Sequence, residues 1–473
     1  MNKNPRKTKI ICTLGPATTE PEVIRELILK GMNAARFNFS HGDHESHLAL
    51  LNTFRAVREE LGVPVATILD TKGPEIRTLT SPSGAIELKK GDHFTLCCRN
   101  VEGSDQQVGI TYENLYLEIQ PGARVLIDDG LIELLALEIT DRDIVCVVLN
   151  GGTIGNNKSI NLPDINIDLP SLTERDEADI AFGVEQDFDF IAASFVRKAT
   201  DVHAIRRVLK KYGGEEIRII SKIENREGVA KRKEIIDASD GIMVARGDLG
   251  VEVPAEEVPL IQKKLIAECV LAGKPVITAT QMLDSMIRNP RPTRAEVSDV
   301  ANAVFDGTSC VMLSGETASG KYPVEALSIM ARAAEKAERA DDYGPAFREN
   351  RVEENISNAI SHACCTTAES LKANAILCVT KSGHTARMIS RFRPRCPIVA
   401  VTPTPKVIRQ LAISWGVSPC FGPDVQSTDE LLAIAIEKAK ETGFVSEGDT
   451  VVITAGVPTG ISGTTNIMKA QIV

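Results

Sequence analysis

Residues 218–250, RIISKIENREGVAKRKEIIDASDGIMVARGDLG, contain the repeating unit that decides the fold of this chain. Two short apolar runs, 218–222 and 241–245, are typical of buried strands, and a longer polar segment separates them. The residues that follow both runs are charged, polar or glycine. The stretch therefore predicts a β/α unit with chemically active residues at the carboxyl ends of its strands.

The same alternation extends over most of the chain. Eight strands are predicted, at residues 9–13, 34–37, 65–69, 190–193, 218–222, 241–245, 276–280 and 310–313. Amphipathic helices are predicted between them, among others at residues 20–30, 44–61, 174–185, 201–212, 255–272 and 293–305. Eight such units predict an α/β protein with a (β/α)8 TIM barrel, although an open doubly wound sheet has the same local pattern.

Two interruptions divide the chain into three domains, in line with its length of 473 residues. Residues 74–170 lose helical periodicity and show alternating strands, such as 86–88, 93–97 and 143–149, with a hairpin turn at 128–130. This pattern predicts a β-rich domain inserted after the third strand. After a helix at 324–340 and a turn at 341–345, strands are predicted at 375–379, 398–401 and 450–454. We expect a barrel of residues 1–73 and 171–343, an inserted domain of residues 74–170, and a C-terminal α/β domain of residues 344–473.

Composition excludes several classes of protein. The chain has 54 Lys and Arg against 64 Asp and Glu, a net charge of −10, which argues against binding to nucleic acid or an anionic membrane. No apolar run is long enough to span a membrane. The eleven cysteines show no Cys-x-x-Cys pattern, which indicates reduced thiols. We therefore expect a cytoplasmic protein.

The most informative side chains follow the fifth and sixth predicted strands. Lys222 and Glu224 are two residues apart, so their ammonium and carboxylate groups point the same way on an extended chain. Asp248 follows the neighbouring strand, with Gly247 before it. Two carboxylates with substrate oxygens and water commonly hold Mg²⁺. An ordinary ion pair and a helix cap are the alternatives.

Arg36 and Arg77 lie at the same predicted end of the barrel as Lys222. Three converging cations indicate a substrate with several negative charges, because guanidinium groups suit phosphate and carboxylate. Oxygen-bearing side chains follow the second and third strands, namely Asn38, Ser40, Asp70 and Thr71. They suit either a weakly charged cation or a turn hydrogen-bond network.

Two loops combine glycine with hydroxyl groups. Residues 315–321, GETASGK, match G-x-x-x-x-G-K, but Tyr322 stands where a phosphate-binding loop needs Ser or Thr, so none is predicted. Residues 380–385, TKSGHT, precede a predicted helix. They suit either an anion-binding nest or capping of that helix by Ser382 or Thr385.

Six segments together resemble the pyruvate kinase family, and its bacterial members in particular. They are RFNFSHG from Arg36, DTKGPEIR from Asp70, KIEN from Lys222, ARGDLG from Ala245, TATQMLDSM from Thr278 and NPRPTRAE from Asn289. The resemblance covers about residues 7–473. It implies a TIM barrel with an inserted lid domain and a C-terminal effector domain, without the additional C-terminal domain of some bacterial members. It also implies transfer of the phosphoryl group of phosphoenolpyruvate to ADP, giving pyruvate and ATP, in the last step of glycolysis.

The resemblance implies roles for individual residues. Glu224 and Asp248 would ligate Mg²⁺ or Mn²⁺, and Lys222 would stabilise the transferring phosphoryl group and the enolate. The backbone N–H groups of Gly247 and Asp248, with Thr280, would bind the substrate carboxylate, and Thr280 would also take part in proton transfer. Contacts with the phosphate groups of substrate and nucleotide are implied for Arg36, Arg77 and Lys158.

A monovalent cation site, an effector site and a homotetramer are further implications. Glu75 is typical of K⁺-dependent members, and the implied K⁺ ligands are Asn38, Ser40, Asp70 and Thr71. A sugar phosphate or a nucleotide would regulate the enzyme from a pocket closed by residues 456–463 and formed by Thr380, Lys381, Ser382, Gly383, His384 and Thr385. The sequence leaves the activator open among fructose 1,6-bisphosphate, ribose 5-phosphate and AMP.

Two other functions stay open on the residues alone. A Mg²⁺-dependent aldolase or lyase acting on enolpyruvate-like acids would also use a carboxylate pair and an arginine, but it would not need an inserted domain with nucleotide-side cations. A catalytically inactive regulatory protein would not need the complete set of Lys222, Glu224, Asp248 and Thr280.

Overall fold

A computed structural model describes residues 6–165, 167–340, 355–425, 427–457 and 465–473. Its strands are β1 (Lys9–Leu14), β2 (Ala34–Asn38), β3 (Ala66–Asp70), β4 (Ile76–Arg77), β5 (Ala85–Leu88), β6 (His93–Cys97), β7 (Gln107–Gly109), β8 (Arg124–Ile127), β9 (Ile132–Thr140), β10 (Asp143–Val148), β11 (Gly152–Gly155), β12 (Ser159–Asn161), β13 (Phe190–Ala193), β14 (Arg218–Ile223), β15 (Gly241–Ala245), β16 (Val276–Ala279), β17 (Cys310–Leu313), β18 (Ala375–Val379), β19 (Ile398–Thr402), β20 (Val417–Phe421), β21 (Thr450–Gly456) and β22 (Thr465–Ile472).

The helices are α1 (Pro21–Leu29), α2 (His44–Leu61), α3 (Leu115–Glu118), α4 (Glu174–Glu185), α5 (Ala199–Lys211), α6 (Arg226–Ala230), α7 (Arg232–Ala238), α8 (Arg246–Glu252), α9 (Val258–Ala272), α10 (Arg294–Phe305), α11 (Gly315–Ala318), α12 (Pro323–Glu338), α13 (Ile356–Ser370), α14 (His384–Ser390), α15 (Pro405–Leu411) and α16 (Thr428–Glu441). Two short 3-10 helices, Pro16–Thr18 and Asp284–Ile287, complete the assignment for the described residues.

Eight parallel strands form a closed barrel in the order β1-β17-β16-β15-β14-β13-β3-β2. Alternation along each strand separates two apolar layers: in β14, Ile220 packs inside the barrel, whereas Ile219 and Ile223 pack towards the surrounding helices. The predicted TIM barrel is therefore confirmed, and the open doubly wound sheet is wrong. All eight strand carboxyl ends consequently meet at one mouth.

Helix caps fix where the connecting helices begin and end. The carboxylate of Asp43 accepts a hydrogen bond from the backbone N–H of Ser46 at the start of α2. The same helix ends at Gly62, whose φ of 62° is in the left-handed region. Local chemistry at both ends therefore agrees with the predicted span of residues 44–61.

The inserted strands lie between β3 and α4. Seven of them form a sheet in the order β4-β12-β8-β9-β10-β6-β7, and β11 pairs with β5 separately. The predicted turn at residues 128–130 joins antiparallel β8 and β9, with φ values of 56°, 54° and 83° for Asp128, Asp129 and Gly130. Helix α3 interrupts a region in which no helix was expected.

The C-terminal sheet has the order β20-β19-β18-β21-β22, and only β22 is antiparallel to its neighbour. The two outer strands were not predicted, for identifiable reasons. Strand β20 contains Pro419, which an edge strand tolerates because it need not donate every ladder hydrogen bond. Strand β22 is mostly exposed and lacks a buried apolar face. The predicted boundary at residues 341–345 lies outside the described residues.

The C-terminal sheet domain packs against the amino-terminal end of the barrel. Ile413 lies in the apolar cluster inside the barrel, and its carbonyl accepts a hydrogen bond from the thiol of Cys310. Arg409 on α15 pairs with buried Asp189, with 2.7 Å between Nε and Oδ1. The mouth at the carboxyl ends of the strands lies at the opposite end of the barrel.

All eleven cysteines are free thiols. Among the described helices, none combines the length and the apolar character needed to cross a bilayer.

Candidate active site

The alternation of β14 explains why Lys222 and Glu224 face the same space. Ile220 fills the barrel interior, and the residues two and four positions later continue on that face towards the mouth. Lys222 is 8% exposed and Glu224 is 1% exposed. Their Nζ and Oε1 atoms lie 2.8 Å apart, so the two groups share one mouth and form the ion pair that was the alternative.

Lys222 is the centre of a buried polar cluster. Its ammonium donates to Oδ1 of Asp70 at 3.2 Å and to Oγ of Ser194 at 2.8 Å. The hydroxyl of Ser194 in turn donates to the carbonyl of Thr71 at 2.6 Å. Strands β3, β13 and β14 therefore fix one ammonium in a single position at the mouth.

The electrostatics of this cluster favour a charged lysine. Burial disfavours the ammonium, but the carboxylates of Asp70, Glu224 and Asp248 outweigh burial and raise the pKa of Lys222. Burial raises the pKa of Glu224 to about 8; Lys222 opposes this increase, and the negative charge of Asp248 adds to it. Glu224 is thus a buried carboxylate that gains from an additional cation.

Arg36 forms the opposite side of the cluster. Its Nε donates to Oδ2 of Asp70 at 2.6 Å, and one of its terminal nitrogens donates to Oγ1 of Thr13 at 3.0 Å. Burial opposes ionisation of Asp70, but Arg36 and Lys222 lower its pKa. Asp70 therefore holds both cations at the cavity wall.

Asp248 enters the same space from the adjacent strand. Strands β14 and β15 pair in parallel, and Asp248 follows β15 in the first turn of α8. Oε1 of Glu224 is buried and is held by its ion pair with the Lys222 ammonium, 2.8 Å away. A buried carboxylate oxygen with this single cationic contact, beside a second carboxylate, has the donor chemistry of a divalent-cation site.

Thr280 has an unusual backbone. Its φ is 68° and that of Gln281 is 54°, which is a rare conformation for a β-branched residue. Its hydroxyl accepts a hydrogen bond from the N–H of Gly247 at 2.7 Å and donates to the carbonyl of Ala279 at 2.6 Å. Backbone strain of this kind is concentrated at functional sites. One expected donor for the substrate carboxylate, the N–H of Gly247, is therefore bonded to Thr280 in this structure.

A cavity of about 850 Å³ extends from the barrel mouth to the inserted sheet. From the barrel and its loops it is lined by Arg36, Asn38, Ser40, Lys222, Glu224 and Asp248. From the inserted strands it is lined by Arg77 and Lys158. Arg77 pairs with Glu75, and Lys158 pairs with Asp128, at 2.7 Å and 2.9 Å. The structure thus brings both sets of predicted cations to one cavity.

The four oxygen-bearing residues expected to bind a monovalent cation lie at the ends of the adjacent strands β2 and β3 or shortly after them. Asn38 is paired in register with Asp70, and the N–H of Phe39 donates to the carbonyl of Asp70. The side chain of Asn38 also accepts a hydrogen bond from the N–H of Ser40, as the turn-network alternative expects. Amide, hydroxyl and carboxylate oxygens fit a hard, weakly charged cation such as K⁺.

No group of three or more His, Cys, Asp or Glu residues in the described part of the chain is arranged as a metal cage. This finding is compatible with Mg²⁺, which is commonly held by one or two carboxylates together with substrate phosphates. Glu224 and Asp248 match that ligand set.

The loop at residues 315–321 has a structural role. Glu316 is 1% exposed and accepts hydrogen bonds from the backbone N–H groups of Leu283 and Ser314. The buried carboxylate therefore joins the residue before α11 to the residue before the second 3-10 helix.

The loop at residues 380–385 turns from β18 into α14. Gly383 is the N-cap with a φ of 76° and as a glycine has no side chain to cap the helix, and the hydroxyl of Thr385 is hydrogen-bonded to that of Thr465. The hydroxyl of Thr380 accepts from the N–H of Gly383, and Lys381 pairs with Asp424. Residues 458–463 of the loop expected to close this pocket lie outside the described residues.

Sequence reasoning missed two residues that organise the site. Ser194 directly follows β13, and the argument from strand ends would have found it had the fourth strand been considered. Arg246 donates to the carbonyl of Thr280 at 2.7 Å and pairs with Asp299. Arg246 lies in the ARGDLG segment, but its partners are distant in the sequence, so the segment alone did not reveal its role.

Comparisons with known proteins agree with this geometry. Residues 5–327 match the pyruvate kinase barrel-domain family, and residues 358–471 match the pyruvate kinase alpha/beta-domain family. The chain is 51% identical to the pyruvate kinase of Clostridium acetobutylicum, over 99% of this chain and 100% of the relative. It is also 51% identical to the pyruvate kinases of Geobacillus stearothermophilus and Staphylococcus aureus, over 99% of this chain and 80% of each relative. The chain therefore belongs to the pyruvate kinase family, whose members transfer a phosphoryl group from phosphoenolpyruvate to ADP in glycolysis.

Proposed function

We propose that the barrel-mouth cavity is where this chain transfers the phosphoryl group, and that Lys222 is its central catalytic residue. The supporting observation is the position of Lys222, a buried ammonium fixed by Asp70, Glu224 and Ser194 at the wall of the cavity. Phosphoryl transfer requires positioning and charge stabilisation and little covalent chemistry from the protein. A fixed, desolvated cation supplies both.

The transfer breaks the bond between phosphorus and the enol oxygen and forms a bond to a terminal phosphate oxygen of ADP. Lys222 and Arg36 stabilise the negative charge on the moving group and on the enolate oxygen left behind. Arg77 and Lys158 line the nucleotide side of the cavity and contact phosphate groups there. The two sets of cations therefore meet the donor and the acceptor from opposite walls.

The enolate then takes up a proton at its methylene carbon and becomes pyruvate. Thr280 is the proposed member of the proton relay, and the N–H groups of Gly247 and Asp248 bind the substrate carboxylate. For this to happen, the hydrogen bond between Gly247 and Thr280 must open when substrate binds.

Glu224 and Asp248 hold a divalent cation, Mg²⁺ or Mn²⁺, which when bound neutralises phosphate charge. The two carboxylates repel each other across the cavity wall, and the buried Oε1 of Glu224 is in contact with a single ammonium, that of Lys222. Both features favour ligation of a cation. Lys222 holds the carboxylate of Glu224 in place for it.

K⁺ is the proposed second cation, at Asn38, Ser40, Asp70 and Thr71. Glu75 lies beside this region and pairs with Arg77. We expect activity to require K⁺ and to fall strongly in a buffer whose only monovalent cation is tetramethylammonium. Full activity in that buffer would contradict the K⁺ assignment.

We further propose a three-part division at the expected boundaries, with residues 74–170 acting as a lid that excludes water from the cavity. The C-terminal domain would bind a sugar phosphate or a nucleotide at residues 380–385 and regulate a homotetramer. The free thiols support a reducing, cytoplasmic setting. Gel filtration with light scattering tests the tetramer, and a dimer or monomer would contradict it.

The reaction and the site are tested together by ³¹P NMR of the protein with phosphoenolpyruvate. Loss of the phosphoenolpyruvate signal and growth of the ATP γ-phosphate signal are expected only when both ADP and Mg²⁺ are present. The Glu224→Gln variant should show neither change. Consumption of phosphoenolpyruvate without ADP would favour a lyase or phosphatase and contradict the proposal.

A further inference from the structure

Glu252 is a carboxylate of the barrel-mouth cavity to which the proposed mechanism gives no role. It is the last residue of α8 and lies four positions after Asp248, so the two side chains share one face of that helix. Both residues line the cavity. Oε1 of Glu252 accepts a hydrogen bond from Nδ2 of Asn161 at 3.0 Å. Asn161 belongs to the inserted sheet, so this bond joins that sheet to the barrel.

Asn161 lies in the strand that also positions the two cations on the nucleotide side of the cavity. It is the last residue of β12, and Lys158 directly precedes the same strand. Ser159 of β12 is paired in register with Arg77 of β4. A contact that fixes β12 therefore also fixes Arg77 and Lys158, because ladder hydrogen bonds connect the two strands directly.

Two other contacts between the inserted residues and the barrel are less directional or more exposed. A β-carbon at Gly130 would lie 3.6 Å from Cγ1 of Val251, so the tip of the β8–β9 hairpin lies beside α8. This apolar neighbour offers no directional bond. Asp164 pairs with Arg226 at 2.8 Å, but both side chains are exposed, and exposed ion pairs contribute little. The hydrogen bond to Glu252 is directional, and it joins β12 itself to α8.

The charge of Glu252 favours this position of the inserted sheet. Burial raises the pKa of Glu252, and the hydrogen bond from Asn161 opposes the increase; the negative charges of Asp164 and Asp248 add to it. If the sheet moved away, the carboxylate would lose this donor and would still be repelled by Asp248, one helical turn away. The ionised carboxylate is therefore more stable with Asn161 in place.

We propose that Glu252 is a positioning residue for phosphoryl transfer: its hydrogen bond with Asn161 holds the inserted sheet against α8 and thereby places Arg77 and Lys158 for the nucleotide. In this role Glu252 binds neither the cation nor a substrate. A misplacement of about 1 Å by a residue far from the chemistry can lower the rate about 10²-fold. The proposal rests on the proposed function, because it assumes that the nucleotide lies on the side of the cavity formed by Arg77 and Lys158.

Removing the acceptor and removing the donor should have the same effect. Glu252→Ala and Asn161→Ala are each expected to lower kcat/KM for ADP about ten-fold, the usual effect of losing one hydrogen bond to a charged group. The double variant should lose no more than either single variant, because both changes remove the same interaction. Glu252→Gln should stay closer to the parent, since its amide oxygen can still accept from Asn161.

The matched control is Glu256→Ala, because Glu256 is an exposed carboxylate outside the cavity lining. It should leave kcat/KM for ADP unchanged. Circular dichroism verifies that every variant is folded.

Binding measurements separate positioning from a general loss of structure. The proposed ligands of phosphoenolpyruvate and of the divalent cation all belong to the barrel. Calorimetry of phosphoenolpyruvate without ADP, and electron paramagnetic resonance of Mn²⁺, should therefore give parent affinities in Glu252→Ala and Asn161→Ala. Calorimetry of ADP should show weaker binding in the same two variants.

Three results would overturn the proposal. The first is a kcat/KM for ADP in Asn161→Ala equal to that of the parent. The second is an additive loss in the double variant, which would show that the two side chains act separately. The third is a loss of Mn²⁺ affinity in Glu252→Ala as large as in Asp248→Asn, which would make Glu252 a ligand of the cation. A parent protein that forms no pyruvate and ATP would instead contradict the proposed function, so the two failures are distinguishable.

Discussion

Replacing Lys222 with methionine removes the cation on which the proposed mechanism depends while keeping a side chain of similar length. The ammonium lies 2.8 Å from Glu224 and 3.2 Å from Asp70, inside a cluster that admits little water. Removing a single preorganised donor to a developing oxyanion costs about 10²–10³ in kcat, or roughly 2.7–4 kcal/mol. Removing a charged donor from this position should lower kcat by at least as much.

Stability is expected to change less than activity. Asp70 keeps its ion pair with Arg36 when Lys222 is lost. Glu224, whose pKa burial has already raised to about 8, can take up a proton and avoid an uncompensated buried charge. We therefore expect Lys222→Met to destabilise the protein at pH 7 by less than the roughly 3–5 kcal/mol typical of a broken buried ion pair.

The assay couples pyruvate formation to NADH oxidation by lactate dehydrogenase, and urea denaturation measures stability. Lys9→Met is the matched control, because Lys9 is also a buried barrel lysine, 7% exposed, but donates to the carbonyl of Val417 at the opposite end. The control should lose stability and keep most of its turnover. A Lys222→Met variant within ten-fold of the parent kcat would refute the reasoning.

Three further predictions use other parts of the structure. Because burial raises the pKa of Glu224, ligation of Mg²⁺ by its carboxylate favours loss of a proton. Calorimetry in buffers of different ionisation enthalpy should show net proton release on Mg²⁺ binding and tighter binding as pH rises towards 8, and no proton release would contradict this. Ser382→Glu places a negative charge in the proposed effector loop and should abolish activation by sugar phosphates while leaving basal turnover unchanged; an unaltered activation curve would move the effector site elsewhere. Arg409→Met leaves buried Asp189 without its guanidinium partner and should lower the free energy of unfolding, measured by urea denaturation, by about 3–5 kcal/mol. Lys406→Met, whose partner is exposed, should lower it by under about 1 kcal/mol. Equal effects of the two variants would contradict the account.

Periodicity predicted eight β/α units, and closure of their strands into a barrel, which periodicity left open, is given by the structure. Alternation with period two placed Lys222 and Glu224 on one face, and the meeting of all strand ends at one mouth brought Asp248 to them. The C-terminal edge strands β20 and β22 were missed, because edge strands need neither a continuous apolar run nor freedom from proline. Apolar periodicity therefore predicts strands least well where their side chains are least buried.

The partners of the site residues depended on tertiary contacts. The hydrogen bond between Lys222 and Asp70 spans 152 residues of sequence, and the bridging hydroxyl of Ser194 belongs to a third strand. The hydrogen bond from Gly247 to Thr280 likewise requires the left-handed backbone of Thr280, which its residue type disfavours. Strain and long-range pairing are set by the whole fold, so residue patterns alone do not reveal them.

The most direct test of the central claim is binding of Mn²⁺, which substitutes for Mg²⁺ at oxygen sites and gives an electron paramagnetic resonance signal that is lost on binding. The account predicts that the parent protein binds Mn²⁺ and that Glu224→Gln and Asp248→Asn each weaken binding at least about ten-fold. Glu316→Gln is the control, because Glu316 is a buried carboxylate that already accepts two backbone hydrogen bonds. Undiminished Mn²⁺ binding in Glu224→Gln and Asp248→Asn would contradict the claim that these two carboxylates hold the cation for phosphoryl transfer.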